Sequence, residues 1–77
     1  MEKANRVIGA RIRARRQAYG ITAAQLGSAL GVSGQQILKY ETGQSAIGAA
    51  RLAEIAHQLQ MPLGYFFAPP THSQRPS

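Results

Sequence analysis

The chain has 77 residues, which is enough for one small domain and too few for two. Its net charge is +6 with only three acidic residues and no cysteine, which excludes a disulfide-stapled scaffold, a thiol enzyme and a cysteine-based zinc module. No apolar run reaches the roughly 18 residues of a membrane span, and none follows the first residues as in a signal peptide, so we expect a cytoplasmic protein.

The spacing of apolar residues predicts an all-α chain of five helices, because no stretch alternates apolar and polar residues with period two. The helices are expected at about residues 5–19, 22–30, 33–42, 48–60 and 63–67. Capping side chains precede the first three helices and glycines follow them; these residues are Asn5, Thr22 and Ser33 before, and Gly20, Gly31 and Gly43 after. We expect one folded domain over residues 1–67 and a flexible, Pro- and Ser-containing tail over residues 68–77.

The positive charge is concentrated near the N-terminus. Six of the nine basic residues lie in the first sixteen positions, namely Lys3, Arg6, Arg11, Arg13, Arg15 and Arg16. Such a concentration favours a polyanionic partner, most often nucleic acid, although a solvated helix face explains the charge alone equally well. Binding to a membrane surface is less favoured, because the opposite face offers Val7, Ile8 and Ile12 but no Trp, Phe or Leu.

The joint between the second and third helices consists only of Gly31-Val32-Ser33. So short a joint forces the two helices to cross steeply, which is the geometry of a helix-turn-helix. Gly27 is expected where the two backbones approach closely, Gly31 in a left-handed turn, and Ile37 in the core between the helices. Together, at this spacing, these features predict a helix-turn-helix at helices 2 and 3.

A series of motifs follows in a fixed order along the chain. They are Gly20-Ile21-Thr22, Leu26-Gly27, Leu30-Gly31-Val32-Ser33, Tyr40-Glu41-Thr42-Gly43, Leu52-Ala53-Glu54-Ile55-Ala56 and Tyr65-Phe66-Phe67. Over about residues 6–67 the chain resembles the Cro and phage-repressor helix-turn-helix family, also called the xenobiotic-response-element family, in its branch of short bacterial regulators. The resemblance implies a five-helix, lambda-repressor-like fold, double-stranded DNA as the ligand, transcriptional control as the role, and a place at the nucleoid.

The third helix is expected to carry the base contacts. The family usually has Gln where this chain has Ala23, and Gly34 has no side chain, so base reading falls to Gln35, Gln36 and Lys39 on the outward face. Glutamine both donates and accepts hydrogen bonds, and can therefore bind adenine through two of them. Without the resemblance, the three residues would be interpreted as ordinary exposed polar side chains.

Phosphate contacts are expected around that helix. Helix N-termini present free backbone N–H groups and attract anions, and phosphate contacts fix the register of a protein on DNA. The candidates are Thr22, Ala23, Ser33, Thr42, Gln44, Ser45, Arg51 and Arg13. Thr22 and Ser33 are also explained as N-caps, each contributing about 1 kcal/mol, and the two roles are compatible.

Arg16 is expected to be buried, because it follows Ile12 by one helical turn on the apolar side of the first helix. A buried guanidinium requires a partner, and Glu41 is expected on the inner face of the third helix. The family resemblance implies an ion pair between these two positions. We therefore predict an Arg16–Glu41 pair that orients the third helix rather than reading bases.

The end of the chain suggests an assembly. A single module covers only a half-site, so a homodimer is expected, with Tyr65 or Phe67 on its face. The alternative function is a protein-binding adaptor or antitoxin-like module whose DNA binding is secondary. An enzyme is not expected, because His57 and His72 lack catalytic partners at suitable spacing. No metal, cofactor or small-molecule ligand is implied, and RNA is disfavoured because no aromatic platform is evident.

Overall fold

The computed structural model describes residues 2–67, with the first two of these described by backbone alone. It has five helices and no strand within that range, which confirms the predicted all-α fold. The helices are α1 (Glu2–Ala18), α2 (Ala23–Leu30), α3 (Gly34–Thr42), α4 (Ala49–Gln58) and α5 (Gly64–Phe67). The tail predicted over residues 68–77 lies outside the described residues, so its expected flexibility stays a prediction.

Several of the observed helix ends differ from the predicted ones by one to three residues. α1 begins at Glu2, so the prediction of Asn5 as its N-cap was wrong. Good helix formers precede Asn5, and a glutamate in the first turn is favoured by the helix dipole. α4 ends at Gln58, before the predicted Gln60, because Gln60 adopts a left-handed backbone with φ of 57°. α5 begins one residue later than predicted.

Side-chain caps start α2 and α3. Thr22 Oγ1 accepts a hydrogen bond from the Gln25 backbone N (3.0 Å), and the Gln25 side chain accepts one from the Thr22 backbone N (2.8 Å). Ser33 Oγ accepts one from the Gln36 backbone N (3.0 Å). These bonds satisfy N–H groups that a helix start otherwise leaves without partners, which is why the two helices begin where they do.

The turn between α2 and α3 depends on two glycines. Gly31 has a φ of 78°, which L side chains rarely adopt. A Cβ atom on Gly27 would lie 2.5 Å from the Val32 carbonyl oxygen, and the Val32 N–H donates to the Gly27 carbonyl at 2.9 Å. The turn therefore closes tightly on the α2 backbone, and the predicted roles of Gly27 and Gly31 are confirmed.

The core lies beneath the helix-turn-helix. Its fully or almost fully buried apolar side chains are Ile12, Leu26, Ile37, Leu52, Ile55, Ala56, Leu59 and Phe66. α3 packs against both α1 and α2, while α4 packs on α2 and α5 packs on α1. α1 and α3 approach so closely that a Cβ atom on Gly9 would overlap the Tyr40 carbonyl oxygen. The core thus holds α3 from behind on two sides.

Candidate nucleic-acid interface

α3 has a buried face and an exposed face. Ile37 and Glu41 are buried, whereas Gln35 and Lys39 are exposed one helical turn apart. Gln36 is half-buried at the boundary, so it lies less far outward than the sequence suggested. The outer surface of α3 therefore presents an amide and an ammonium group to solvent, and both have hydrogen bonds to offer a ligand.

The N-termini of α2 and α3 lie side by side. A Cβ atom on Gly34 would be 3.0 Å from both the Cα and the N of Ala24, so the two helix starts are in direct backbone contact. Within residues 2–67, the backbone N–H groups of Ala23 and Ala24 have no acceptor, and neither do those of Gly34 and Gln35. Two helix dipoles therefore direct their positive ends toward one region, which favours an anion there.

The loop after α3 folds back onto that helix. Thr42 Oγ1 donates to the Leu38 carbonyl oxygen (3.1 Å), and the Ser45 backbone N donates to the Lys39 carbonyl oxygen (3.2 Å). Gln44 is exposed at the loop, and Ser45 is half-buried. The bond from Ser45 holds the loop beside the C-terminal end of the exposed face, where candidate phosphate contacts were expected, whereas the Thr42 bond lies within α3.

A basic side chain that the sequence analysis did not select approaches this loop. An ideal Cβ atom on Gly43 would lie 2.9 Å from Arg6 Cγ, so the stem of Arg6 packs against the residue that ends α3. The basic cluster in the sequence includes Arg6, but only the packing of α1 on α3 shows which of those residues reaches the loop. Arg13 is exposed on α1.

Arg51 is already engaged by the protein. Its Nη1 donates to the Leu30 carbonyl oxygen (3.1 Å) at the end of α2 and to Glu54 Oε1 (2.9 Å). The guanidinium therefore joins α4 to α2, and the carboxylate of Glu54 offsets its positive charge. Other arginines lie over aromatic rings: the Arg11 guanidinium is 5.3 Å from the Tyr65 ring centroid, and that of Arg15 is 4.7 Å from Tyr19.

The structure brings Arg16 and Glu41 together across α1 and α3. Arg16 Nε donates to Glu41 Oε2 (2.6 Å), and Nη2 donates to Oε1 (3.0 Å), so the pair is joined at two points. The remaining nitrogen, Nη1, donates to the Ile21 carbonyl oxygen (2.8 Å) before α2. The hydrogen bond to Glu41 raises the pKa of the Arg16 guanidinium above its usual value. One side chain thus fixes α1, the α1–α2 turn and α3 to one another.

The two residues expected on a dimer face have different surroundings. Phe67 is 57% exposed, and Leu63 nearby in sequence is 40% exposed. Tyr65 is half-buried, with its ring edge-to-face against Phe66 at a centroid distance of 5.0 Å and with Arg11 over it. Phe67 is therefore available to a partner, whereas Tyr65 is largely occupied by its own chain.

Two further features are absent from the part of the chain that the structure describes. No group of three or more His, Cys, Asp or Glu side chains there could hold a metal ion. No helix within the same range combines the length and the apolar character needed to cross a membrane.

Comparison with known proteins places this arrangement in a family. Residues 12–66 match the family described as helix-turn-helix. The chain belongs to the Cro and phage-repressor helix-turn-helix family. It is 45% identical over 60 residues to an uncharacterized HTH-type transcriptional regulator of Sinorhizobium medicae (strain WSM419), covering 78% of this chain and 43% of that protein. This helix-turn-helix family consists of DNA-binding transcriptional regulators, not of enzymes.

A second helix-turn-helix relative is an uncharacterized transcriptional regulator in the ATPase CF(0) region of Rhodospirillum rubrum. It is 46% identical over 61 residues, which is 79% of this chain and 56% of that protein. The chain thus spans about half the length of the curated relatives it matches.

Solved structures of helix-turn-helix proteins share the fold. The P22 c2 repressor, in complex with a synthetic operator, superposes with a TM-score of 0.72 at 33% identity, covering 78% of this chain and 91% of that one. The clp gene regulator ClgR from C. glutamicum superposes with a TM-score of 0.81 at 23% identity, covering 96% of each chain, which shows the common fold. These likenesses confirm the lambda-repressor-like architecture that the motifs implied.

Proposed function

We propose that this chain is a sequence-specific, double-stranded DNA-binding transcriptional regulator, with α3 in the major groove. The observation that carries the proposal is the two-sided character of α3, which is held from behind by the Arg16–Glu41 pair and presents Gln35 and Lys39 outward. An α-helix fits the major groove, where base edges offer distinguishable donors and acceptors. A regulator of this kind acts on chromosomal DNA, so its expected place is the nucleoid.

Base contacts are assigned to three side chains. Gln35 is exposed in the first turn of α3, the part of a recognition helix that enters the groove, and its amide suits adenine. Lys39 follows one turn later and reaches a base edge or a phosphate. Gln36 is half-buried, so it contributes at the edge of the contact.

Phosphate contacts are assigned to the surfaces that flank α3. The unpaired backbone N–H groups at the starts of α2 and α3 suit two phosphate oxygens, with Ala23 supplying one of them. The hydroxyls of Thr22 and Ser33 accept capping bonds and still have a proton to donate. Further contacts are assigned to Gln44, Ser45 and Arg13, and to Thr42, whose hydroxyl would have to leave the Leu38 carbonyl oxygen to donate to a phosphate. Arg51 contributes least, because Glu54 already pairs with it.

Two copies are proposed to bind one operator. A single module buries roughly 600–1,000 Å² on DNA, which limits affinity, and two-fold pairing with half-sites about 34 Å apart is the usual arrangement. Phe67 is exposed and apolar at the end of the described chain, and it is the residue assigned to the homodimer face, with Tyr65 contributing at its edge. A chain that sediments as a monomer both free and on operator DNA would refute the homodimer.

Selection of bound duplexes from a random pool tests the central proposal. We expect an enriched sequence with two related half-sites, and an affinity that falls steeply with salt, at a slope of about −0.9 per phosphate neutralised. The alternative, a protein-binding adaptor, predicts no enriched sequence and little DNA affinity at physiological salt. Failure to bind any duplex in dilute buffer would overturn the proposal.

One substitution then tests the assignment of Gln35. Gln35→Ala is expected to lose about 1–3 kcal/mol of binding free energy, concentrated at one base position of the selected site. Gln58→Ala removes an exposed glutamine from α4 and serves as the matched control, with unchanged binding expected. An equal effect of Gln35→Ala on all sequences would show a phosphate contact instead of a base contact.

A further inference from the structure

An exposed leucine interrupts the polar surface of α3. Leu38 is 46% exposed, although it lies in the middle of the helix and next to Gln35 and Lys39, which carry amide and ammonium groups. Among the large aliphatic side chains that the structure describes, the other exposed one is Leu63, which lies in the segment before α5. An exposed leucine alone is ordinary, but this one shares the outward surface with the residues assigned to base contact.

The residues one turn before and after Leu38 make its side of α3 apolar. Gly34, four residues earlier, has no side chain, and Thr42, four residues later, has its hydroxyl hydrogen-bonded to the Leu38 carbonyl oxygen (3.1 Å). Gln35 and Lys39, by contrast, form a polar stripe beside it. Helical side chains lean toward the N-terminus, so Leu38 extends toward the turn where Gly34 leaves space.

We propose that Leu38 reads the C5-methyl group of a thymine in the major groove. The inference rests on the proposed function and adds a specificity-determining residue to it. Thymine presents the one apolar group on the major-groove edge of the base pairs, and cytosine carries only hydrogen at that position. A leucine that displaces water from this methyl group favours a T·A pair, whereas its neighbours Gln35 and Lys39 read hydrogen-bonding edges.

The test uses duplexes that the wild-type chain has selected from a random pool. Each thymine of one half-site is replaced singly by deoxyuridine, which removes the methyl group and keeps the O4 acceptor. Wild-type binding is expected to weaken about 3- to 10-fold at one such position, as the burial of one or two methyl-sized contacts implies. Leu38→Ala should bind the thymine and deoxyuridine duplexes equally well.

Two controls separate this role from a general loss of binding or folding. Alanine is a better helix former than leucine and Leu38 is exposed, so Leu38→Ala is expected to fold as the wild type does. Leu63→Ala should retain the full deoxyuridine effect.

Three results would overturn the inference. The first is a wild-type affinity that no deoxyuridine replacement changes. The second is a deoxyuridine effect that persists in Leu38→Ala. The third is a deoxyuridine effect that disappears in Leu63→Ala as it does in Leu38→Ala. Failure of the wild type to bind any duplex is a separate result, which overturns the proposed function itself.

Discussion

Two arginine–glutamate pairs occupy opposite environments in this chain. Arg16 and Glu41, 25 residues apart, meet between α1 and α3 with side chains only 10% and 1% exposed. Arg51 and Glu54 lie within one turn of α4 with side chains 31% and 57% exposed, at 2.9 Å. Water competes for the second pair and is excluded from the first. The same two residue types therefore orient a helix in the buried pair and form a solvent-exposed ion pair in the other.

The largest expected effect comes from breaking the buried pair. Glu41→Ala leaves the Arg16 guanidinium in the interior with its positive charge uncompensated, and should cost about 3–5 kcal/mol of unfolding free energy. Urea denaturation followed by circular dichroism measures this loss.

The double substitution Arg16→Met with Glu41→Leu serves as the partner experiment. It removes both charges and should recover most of the stability, because apolar replacement of a buried pair is often neutral. If Glu41→Ala alone were as stable as the wild type, the pair would not hold α1 and α3 together.

The contrast between packed and open positions also applies to two glycines, Gly27 and Gly64. Gly27→Ala should cost about 1–3 kcal/mol, because its Cβ atom would lie 2.5 Å from the Val32 carbonyl oxygen and force α2 and α3 apart. Gly64→Ala, with nothing within 4 Å of the added atom, should be neutral or slightly stabilising. Thermal unfolding of both variants measures the difference, and equal melting temperatures would contradict the close approach.

The cap of α2 is expected to have an intermediate effect. Thr22→Ala removes the oxygen that accepts from the Gln25 backbone N, and should cost about 1 kcal/mol. Ser28→Ala, within the same helix and exposed, should change stability little because its side chain caps nothing. Chemical denaturation of the two variants compares them, and a larger loss for Ser28→Ala would contradict the role of Thr22 as the cap.

The smallest effect is expected at the exposed pair. Glu54→Ala should change the unfolding free energy by about 0.5 kcal/mol or less, and the change should shrink further in high salt. Urea titrations at low and high ionic strength measure it. A loss as large as that of Glu41→Ala would remove the distinction between the two pairs.

Local signals in the sequence were sufficient for much of the fold. The turn around Gly31 and the capped starts at Thr22 and Ser33 depend on residues within a few positions of one another, and each was found where the pattern placed it. The partner of Arg16 could also be predicted, because the family resemblance implies an ion pair at these two positions and helical spacing places Glu41 on the inner face of α3.

The start of α1 and the contacts of two arginines could not be predicted in this way. The first depends on competition between a capping residue and the helix-forming residues before it, and the others depend on tertiary packing. Asn5 has a capping side chain, but the helix-forming residues before it extend α1 past it. Arg6 is one of many arginines in the sequence, and its approach to Gly43 follows only from how α1 lies on α3. Arg51 lies in the first turn of α4, a position that suits a phosphate contact. Its hydrogen bond to the Leu30 carbonyl oxygen, however, depends on the packing of α4 against α2.

The three bonds of the Arg16 guanidinium have a consequence for motion. They join α1, the backbone at Ile21 and Glu41 of α3, so α3 is unable to fray or tilt alone without breaking a link to two other segments. Local opening is cheapest where few such links exist. Amide protons of α3 from Gln36 onward, which are hydrogen-bonded, are therefore expected to exchange with deuterium as slowly as the most protected amides of the core, while those of α5 exchange early.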